Sequence, residues 1–500
     1  MNIDIIKEKT DFWMRMDRAT EEQRIEAEAY YEKELMPLII ETFVSREENN
    51  NIVHPEYMIL SVGTSYEPLV LSLKLIQPKK VLFLYTEDTE EKIDKILQFV
   101  PLKSSQYKKE KVEKSNTLLV YQKIKQAYYD WGKPQNIYID FTGGTKAMSS
   151  ATAMAGAMLG AKLIYIGNEN YLKDFRKPYP GTEFLEEIPN PYSVFGDIEE
   201  DRANDLLQQH DYVGARKIFE TLVHKVPDPN KKEYFHILYL LTLTYEHWDS
   251  LEFGKATGNM NKLVKEIEKY SLFNSNCILA DKLILLRKQR DVLNIMDQNA
   301  MQIRKNTPME LLLKLEEILP LMFTIYHNAK RRSEQAKYDM ASLLLYRLLE
   351  MIMQRRLALH GIDVSKPDYN KVFPNKTHLD EFTNKVIYYR KTVFGKNVNK
   401  NFQNYVTLME GYIELAALKD ALIDVKNSSV ILKNIYEKVK IRNNNIFAHG
   451  FCSLTEKEYT DFEEFVIRIF KRFCEIEFIN MKEYEESIRF IHPEESKYYQ

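Results

Sequence analysis

Between residues 54 and about 190 the chain alternates two patterns. Short, nearly unbroken apolar runs occur at Tyr57–Val62, Val81–Tyr85, Ile137–Phe141 and Leu163–Ile166. Each neighbours a longer stretch of helical period: Pro68–Ile76, Glu90–Phe99, Thr117–Trp131 and Ala147–Leu159. Apolar runs without polar alternation fit strands covered on both faces, and their alternation with helices predicts a parallel, doubly wound α/β sheet. Residues 1–53 read as a helical segment, with Ala27 to Thr42 mixing charged and apolar positions before an Asn-rich break at Glu47–Asn51. After a connector rich in proline and glycine (Pro178, Pro180, Gly181, Pro189, Pro191) the pattern is helical to about residue 490. Arg202–Leu207 and Asp211–Phe219 fit one tetratricopeptide-type hairpin. A single copy cannot build a solenoid, which makes the region a helical spacer. From about 335 a long amphipathic helix (Leu343, Leu344, Leu348, Met351, Leu357) runs to Gly361. Further helices are expected at Phe402–Ala421, Val430–Ile441 and Lys457–Phe478, together a bundle of four or five. The expected organisation is therefore four parts, 1–53, 54–192, 193–334 and 335–500.

The third strand leads into the first candidate site. Ile137-Tyr138-Ile139-Asp140 passes through Phe141-Thr142-Gly143-Gly144-Thr145-Lys146 into a helix. Such a junction points backbone N–H groups and a helix N-terminus at whatever lies above the turn, and paired glycines let the backbone approach a ligand closely. Lys146 opposes the helix dipole in the first turn, a cost of about 0.3–1 kcal/mol that a bound phosphate removes. The turn reads as an anion site for a nucleotide; a plain tight connection, with Thr145 as a cap, gives the same pattern. The first strand ends in a similar turn, Val62-Gly63-Thr64-Ser65, and Asn168 follows the fourth. All three fall beyond the carboxyl ends of strands, where open α/β sheets bind ligands. Neither G-x-G-x-x-G nor a P-loop motif occurs, which disfavours dinucleotide cofactors and ordinary ATP hydrolysis. Met148, Met154 and Met158, with small residues between, are expected to pack on the sheet.

The helical end offers a second candidate, Ile441-Arg442-Asn443-Asn444-Asn445-Ile446-Phe447-Ala448-His449. Histidine moves protons near neutrality, and arginine stabilises charge developing on phosphorus. These are the groups a metal-free ribonuclease requires. Seven residues separate them, two turns of one helix face but roughly 10 Å along its axis. Two copies facing across a dimer axis would bring Arg442, Asn443 and His449 together. Chance spacing accounts for the same pair, and the chain holds another, Arg355 and His360, which fits an ordinary basic helix end capped by Gly361.

Net charge is −3 over 500 residues, so no global basic field favours nucleic acid and any such site is a local patch. Cys277, Cys452 and Cys474 show neither zinc spacing nor a disulfide framework, as expected of a cytoplasmic protein. No metal-ligand motif, apolar signal core or membrane-length apolar run occurs, and no metal or cofactor is expected.

Taken together, the two ends resemble a CRISPR-associated CARF–HEPN ribonuclease of the type III ancillary class. Asp140 through Lys146 matches the second ligand-binding motif of CARF domains, and Val62-Gly63-Thr64-Ser65 the first. Arg442-Asn443 through Ala448-His449 fits the HEPN pattern, and Tyr346-Arg347-Leu348-Leu349-Glu350 resembles the first helix of such bundles. The resemblance implies a Rossmann-like CARF sensor, an all-α linker and an all-α HEPN bundle, working as a homodimer without contact to a membrane. It assigns cyclic-oligoadenylate binding to Gly63, Thr64, Ser65, Thr142, Gly143, Gly144, Thr145 and Lys146. Catalysis falls to Arg442, Asn443 and His449, which would cut single-stranded RNA without a metal. The tetra-adenylate ring is expected to be preferred over the hexa-adenylate. Three alternatives stand beside this: a CARF regulator with an inactive bundle, a HEPN toxin controlled otherwise, and a ring nuclease using Thr64, Thr142 and Lys146 on the activator itself.

Overall fold

The computed structural model describes residues 2–48, 54–190, 192, 194, 196–302, 308–395, 398–423, 426–443, 446 and 451–499. The chain forms two compact units, residues 1–197 with 225–228, and residues 198–224 with 229–500.

The first unit opens with α1 (Asn2–Arg15), α2 (Glu21–Tyr30) and α3 (Met36–Glu47), the last two joined by a π-helical turn. A capping box between Thr20 and Gln23 starts α2. There follow β1 (Tyr57–Ser61), α4 (Glu67–Ile76), β2 (Lys80–Tyr85), α5 (Glu90–Phe99), β3 (Tyr107–Lys111) and α6 (Thr117–Asp130). Then come β4 (Ile137–Asp140), α7 (Lys146–Leu159), β5 (Lys162–Asn168), β6 (Tyr171–Leu172), β7 (Lys177–Pro178) and β8 (Glu183–Ile188). The main sheet has the order β3-β2-β1-β4-β5-β8. Met58 and Leu60 enter one core with Trp13, Phe43, Leu69 and Ile93, whereas Ile59 joins Ile124, Ile139, Met148 and Ala155 in the other. Both faces are thus covered, which explains the continuous apolar strands.

In this unit three features depart from expectation. β3 is an additional parallel strand, Tyr-Lys-Lys-Glu-Lys, at the sheet edge; its charges hide it from an apolar search and suit an edge strand. The segment read as connector contains β8, antiparallel to β5, so the sheet is mixed rather than purely parallel. Met148 is buried as expected, but Met154 and Met158 are 66% and 63% exposed on the outer side of α7, because Ala151 and Ala155 take the positions that face the sheet.

In the second unit α8 (Asp197–Gln208) and α9 (Tyr212–Lys225) form a helical hairpin, followed by α10 (Pro229–Asp249), α11 (Phe253–Ser271) and α12 (Leu283–Gln302). Then α13 (Pro308–Leu312) and α14 (Leu315–Glu334) lead to α15 (Tyr338–Leu359), α16 (Tyr369–Val372), α17 (Lys376–Phe394), α18 (Leu408–Ala417), α19 (Ser428–Asn443), α20 (Glu456–Ile476) and α21 (Met481–Ile488). α15 is central, burying Leu345, Leu348, Leu349, Ile352 and Leu357. α17 was not expected: its polar sequence buries only Phe382, Val386 and Arg390. Among the described residues no helix is long and apolar enough to cross a membrane.

Candidate functional site

β1 and β4 are parallel neighbours, with Leu60 opposite Asp140. After β1 the chain turns into α4, which packs on one face; after β4 it turns into α7, which packs on the other. The loops therefore part where the strand order reverses, the point at which open α/β sheets hold ligands.

The two loops meet at their glycines. A Cβ on Gly63 would lie 2.5 Å from the Gly144 amide nitrogen, and one on Gly143 would lie 2.2 Å from the Ser61 carbonyl oxygen. Neither contact is sterically possible, so only glycine lets the backbones pass this closely. Gly144 also has φ +90°, a conformation side chains disfavour.

Side chains below the turn hold it in shape. The Ser61 and Ser149 hydroxyls both donate to the Gly143 carbonyl, at 2.6 and 2.8 Å. The Thr142 N–H donates to Asp140 Oδ1 at 2.8 Å, and the Thr142 hydroxyl accepts the Ile166 N–H at 2.9 Å. Burial pushes the Asp140 carboxyl above its ordinary value, against the hydrogen bonds from Ser72 and Thr142. Thr145 caps α7 by accepting the Met148 N–H at 3.3 Å, and its hydroxyl donates to the Lys114 carbonyl at 2.6 Å. That bond brings the loop after β3 to the start of α7.

The outward side carries exposed polar groups. Thr64, Ser65 and Lys146 are exposed, and Lys146 has no ion pair among the described residues. Asn168 is half-buried at the end of β5, opposite Glu183. Burial pushes the Glu183 carboxyl up to about 7 although it accepts the Gly181 N–H at 2.9 Å. An unpaired cation, free hydroxyls and the first N–H groups of a helix form a surface suited to an anion.

The structure thus brings the Gly63 and Gly143–Gly144 turns into contact, with Asn168 at the same end of the sheet. It shows the Thr142 and Thr145 hydroxyls already engaged by the protein. Ser61, Ser149 and the loop around Lys114 were not singled out from sequence. Ser61 carried a signal, being the one small polar residue in the strand Tyr57-Met58-Ile59-Leu60-Ser61. Lys114 was hidden because β3 itself was missed.

In the second unit Arg442 and Asn443 fall in the last turn of α19. His449 lies outside the described residues. The other Arg/His pair is held in an ion network. Arg355 donates to the Leu312 carbonyl and to Glu477, at 2.7 and 3.1 Å, and Arg356 bridges Asp420 and Glu477, each at 2.8 Å. His360 Nε2 lies 2.7 Å from Asp420 Oδ2. Burial raises the Asp420 carboxyl, but His360 and Arg356 outweigh it and hold the group below its ordinary value. Among the described residues no cluster of His, Cys, Asp and Glu could hold a metal ion.

Comparison with known proteins divides the chain in the same order. Residues 69–183 match the model of the Card1 CARF domain, 195–293 that of the Csm6 6H domain, and 312–473 that of the Csm6 HEPN domain. The first match contains Thr142 to Lys146 and Asn168, and begins after Gly63–Ser65. The third contains Arg442 through His449. A CRISPR system endoribonuclease, Csm6 of Thermus thermophilus, is 26% identical over 348 residues, 68% of this chain and 71% of that protein. Among solved structures, Enterococcus italicus Csm6 bound to cyclic hexa-2'-fluoro-hexa-dAMP aligns with 87% of this chain and 99% of its own at 13% identity and TM-score 0.44. Can2 from Sulfobacillus thermosulfidooxidans in complex with cyclic tetra-adenylate aligns with 38% of this chain and 67% of its own at 12% identity and TM-score 0.21.

Proposed function

We infer that this chain, a Csm6 homologue with a CARF domain and a HEPN ribonuclease domain, is an endoribonuclease of type III CRISPR defence that cuts single-stranded RNA when its CARF domain binds a cyclic oligoadenylate. The observation that carries this reading is the clamped Thr142–Lys146 turn against Gly63, in one chain with a HEPN-matching segment that holds Arg442 through His449.

The activator's phosphates meet Lys146 and the amides at the start of α7, with Gly63, Thr64, Ser65, Thr142, Gly143, Gly144, Thr145 and Asn168 forming the surface around them. Two copies of the chain complete the pocket, since a ring with repeated units suits an isologous interface. The tetra-adenylate is the preferred ring, ahead of the hexa-adenylate. In the bundle His449 moves the proton between the ribose 2′-OH and the leaving oxygen, Arg442 stabilises the charge on phosphorus, and Asn443 orients the substrate. The protein works in the cytoplasm as a homodimer, and the chemistry needs no metal. Activation requires the ring to bind the cleaving arrangement more tightly than the resting one.

Cleavage of a fluorescent single-stranded RNA in EDTA, with and without cyclic tri-, tetra- and hexa-adenylate, tests this directly. Cleavage switched on by the tetra-adenylate is expected. Binding of a ring without cleavage would make the chain a regulator, and absence of binding would remove the CARF reading.

A further inference from the structure

We propose that Lys177 and Tyr66 are positioning residues of the activator site, which fix the Gly63–Ser65 turn to the β6–β7 hairpin and to the N-terminal helices. The inference rests on the reading above and goes beyond it by giving the hairpin and those helices a part in binding the ring.

Lys177 is a cation taken largely out of water. Its side chain is 15% exposed, and its ammonium pairs with Glu67 and with Glu28, the latter at 3.0 Å, and lies 4.3 Å from the centre of the Tyr31 ring. A buried charge is tolerated when it is paired, and Glu67 is itself buried, so the two depend on each other. The contact joins three elements that are distant in sequence. Lys177 begins β7, Glu67 begins α4 and Glu28 lies in α2.

Two of these elements lead directly to residues of the site. Glu67 stands two places after Ser65, separated from it by Tyr66. The hairpin continues from β5, which ends at Asn168, and Lys177 lies opposite Leu172 within it. The Lys177–Glu67 pair therefore links the first turn to the chain that follows Asn168, independently of the contact between Gly63 and Gly143. Tyr66 supplies a second hold one residue nearer the turn. Its hydroxyl donates to Glu32 at 2.9 Å, and Lys95 pairs with the same carboxylate at 2.8 Å.

The hairpin is anchored at its far end as well. Phe175 packs on Trp13 with ring centres 4.9 Å apart, and the Arg18 guanidinium lies over both rings, at 4.7 and 4.9 Å. The N-terminal helices precede the segment that matches the CARF model, and Trp13, Arg18, Glu28, Tyr31 and Glu32 are what they contribute to this network. Thr64 and Ser65 carry the exposed groups of the turn, and the course of the backbone through them is set by where Tyr66 and Glu67 are held.

The test uses the full-length protein. It reads the cyclic tetra-adenylate concentration that half-activates RNA cleavage, the rate at saturation and the melting temperature. Lys177→Met keeps much of the side chain and removes its charge, but leaves Glu67 buried and unpaired, which destabilises the fold. The deciding sample is therefore the double variant Lys177→Met/Glu67→Gln, in which both charges are removed together. It is expected to melt close to the wild type and to be half-activated at a roughly ten-fold higher concentration, the effect of one charge-assisted bond on a binding constant. The shift should lie in the half-activating concentration, with the saturated rate moving less than about two-fold. Lys177→Arg, whose guanidinium can pair with both carboxylates, should restore most of the response. Should the double variant fail to fold, Tyr66→Phe carries the test: it keeps the ring, leaves Glu32 paired with Lys95, and should raise the half-activating concentration by about three-fold. A folded double variant, or a folded Tyr66→Phe where the double variant is lost, that is half-activated at the wild-type concentration overturns the proposal. If Lys146→Ala weakens activation while these changes do not, this inference alone falls. If the wild type responds to neither the tetra- nor the hexa-adenylate ring, the CARF reading falls and takes the inference with it.

Discussion

The carboxyl end of the sheet in the first unit and the helical bundle of the second use polar side chains differently. At the carboxyl end of the sheet, hydroxyls serve the main chain. Ser61, Ser149, Thr142 and Thr145 each bond a backbone group, and together they hold the turn in shape. In the bundle, several side chains bond to each other across long stretches of sequence. Tyr369 donates to Glu414 at 2.6 Å, Arg390 to Glu410 at 2.8 Å, and Arg356 to Asp420 and Glu477. A site made from main chain depends on backbone shape and leaves glycines at fixed spacing. A site made from side chains can be assembled from any residues the fold brings together, and leaves only a loose pattern such as Arg442 and His449.

The sharpest way to test that contrast is to remove the side-chain chemistry alone. Arg442→Ala or His449→Ala should lower RNA cleavage by at least about a thousand-fold while activator affinity stays within about two-fold. Cleavage that survives either change removes these residues from the catalytic role.

A smaller effect concerns the bundle's own stability. Burial pushes the Glu414 carboxyl from 4.5 up to about 7. Between those values the folded state holds a proton that the unfolded chain has released. The stabilisation from this group is therefore full below about pH 4.5 and lost as pH rises through about 7, on the order of 3 kcal/mol. Glu414→Gln should flatten that stretch of the stability profile, measured by denaturant unfolding of the full chain across pH. A variant whose pH profile follows the wild type would show that Glu414 does not titrate in this range.

The smallest change is at the turn after β4. Lys146→Ala should raise the half-activating ring concentration by roughly ten-fold and weaken its salt dependence, since one partly solvated cation contributes about that much. Unchanged activation would mean that the turn binds through its amides without the cation.

How much was legible in the sequence follows from the same contrast. Thr142-Gly143-Gly144-Thr145-Lys146 stood out because a strand, two glycines and a misplaced cation are rarely combined without a reason in backbone geometry. The α/β alternation was legible because strands covered on both faces must be apolar throughout. β3 was not, since an edge strand is free to carry Lys108, Lys109 and Glu110. α17 was obscured for a similar reason, its contribution to the core being three residues spread along a polar helix.

By itself, the sequence determined most of the strands and helices and where two glycine turns lie, because these depend on local composition and period. The tertiary structure decided that the Gly63 and Gly143 turns touch, that two serines grip one carbonyl and that Met154 and Met158 face outward. It also decided that Arg355 and His360 belong to an ion network. Each of these is a contact between segments distant in sequence or the choice of one helix face, and packing settles both only once the sheet order is fixed.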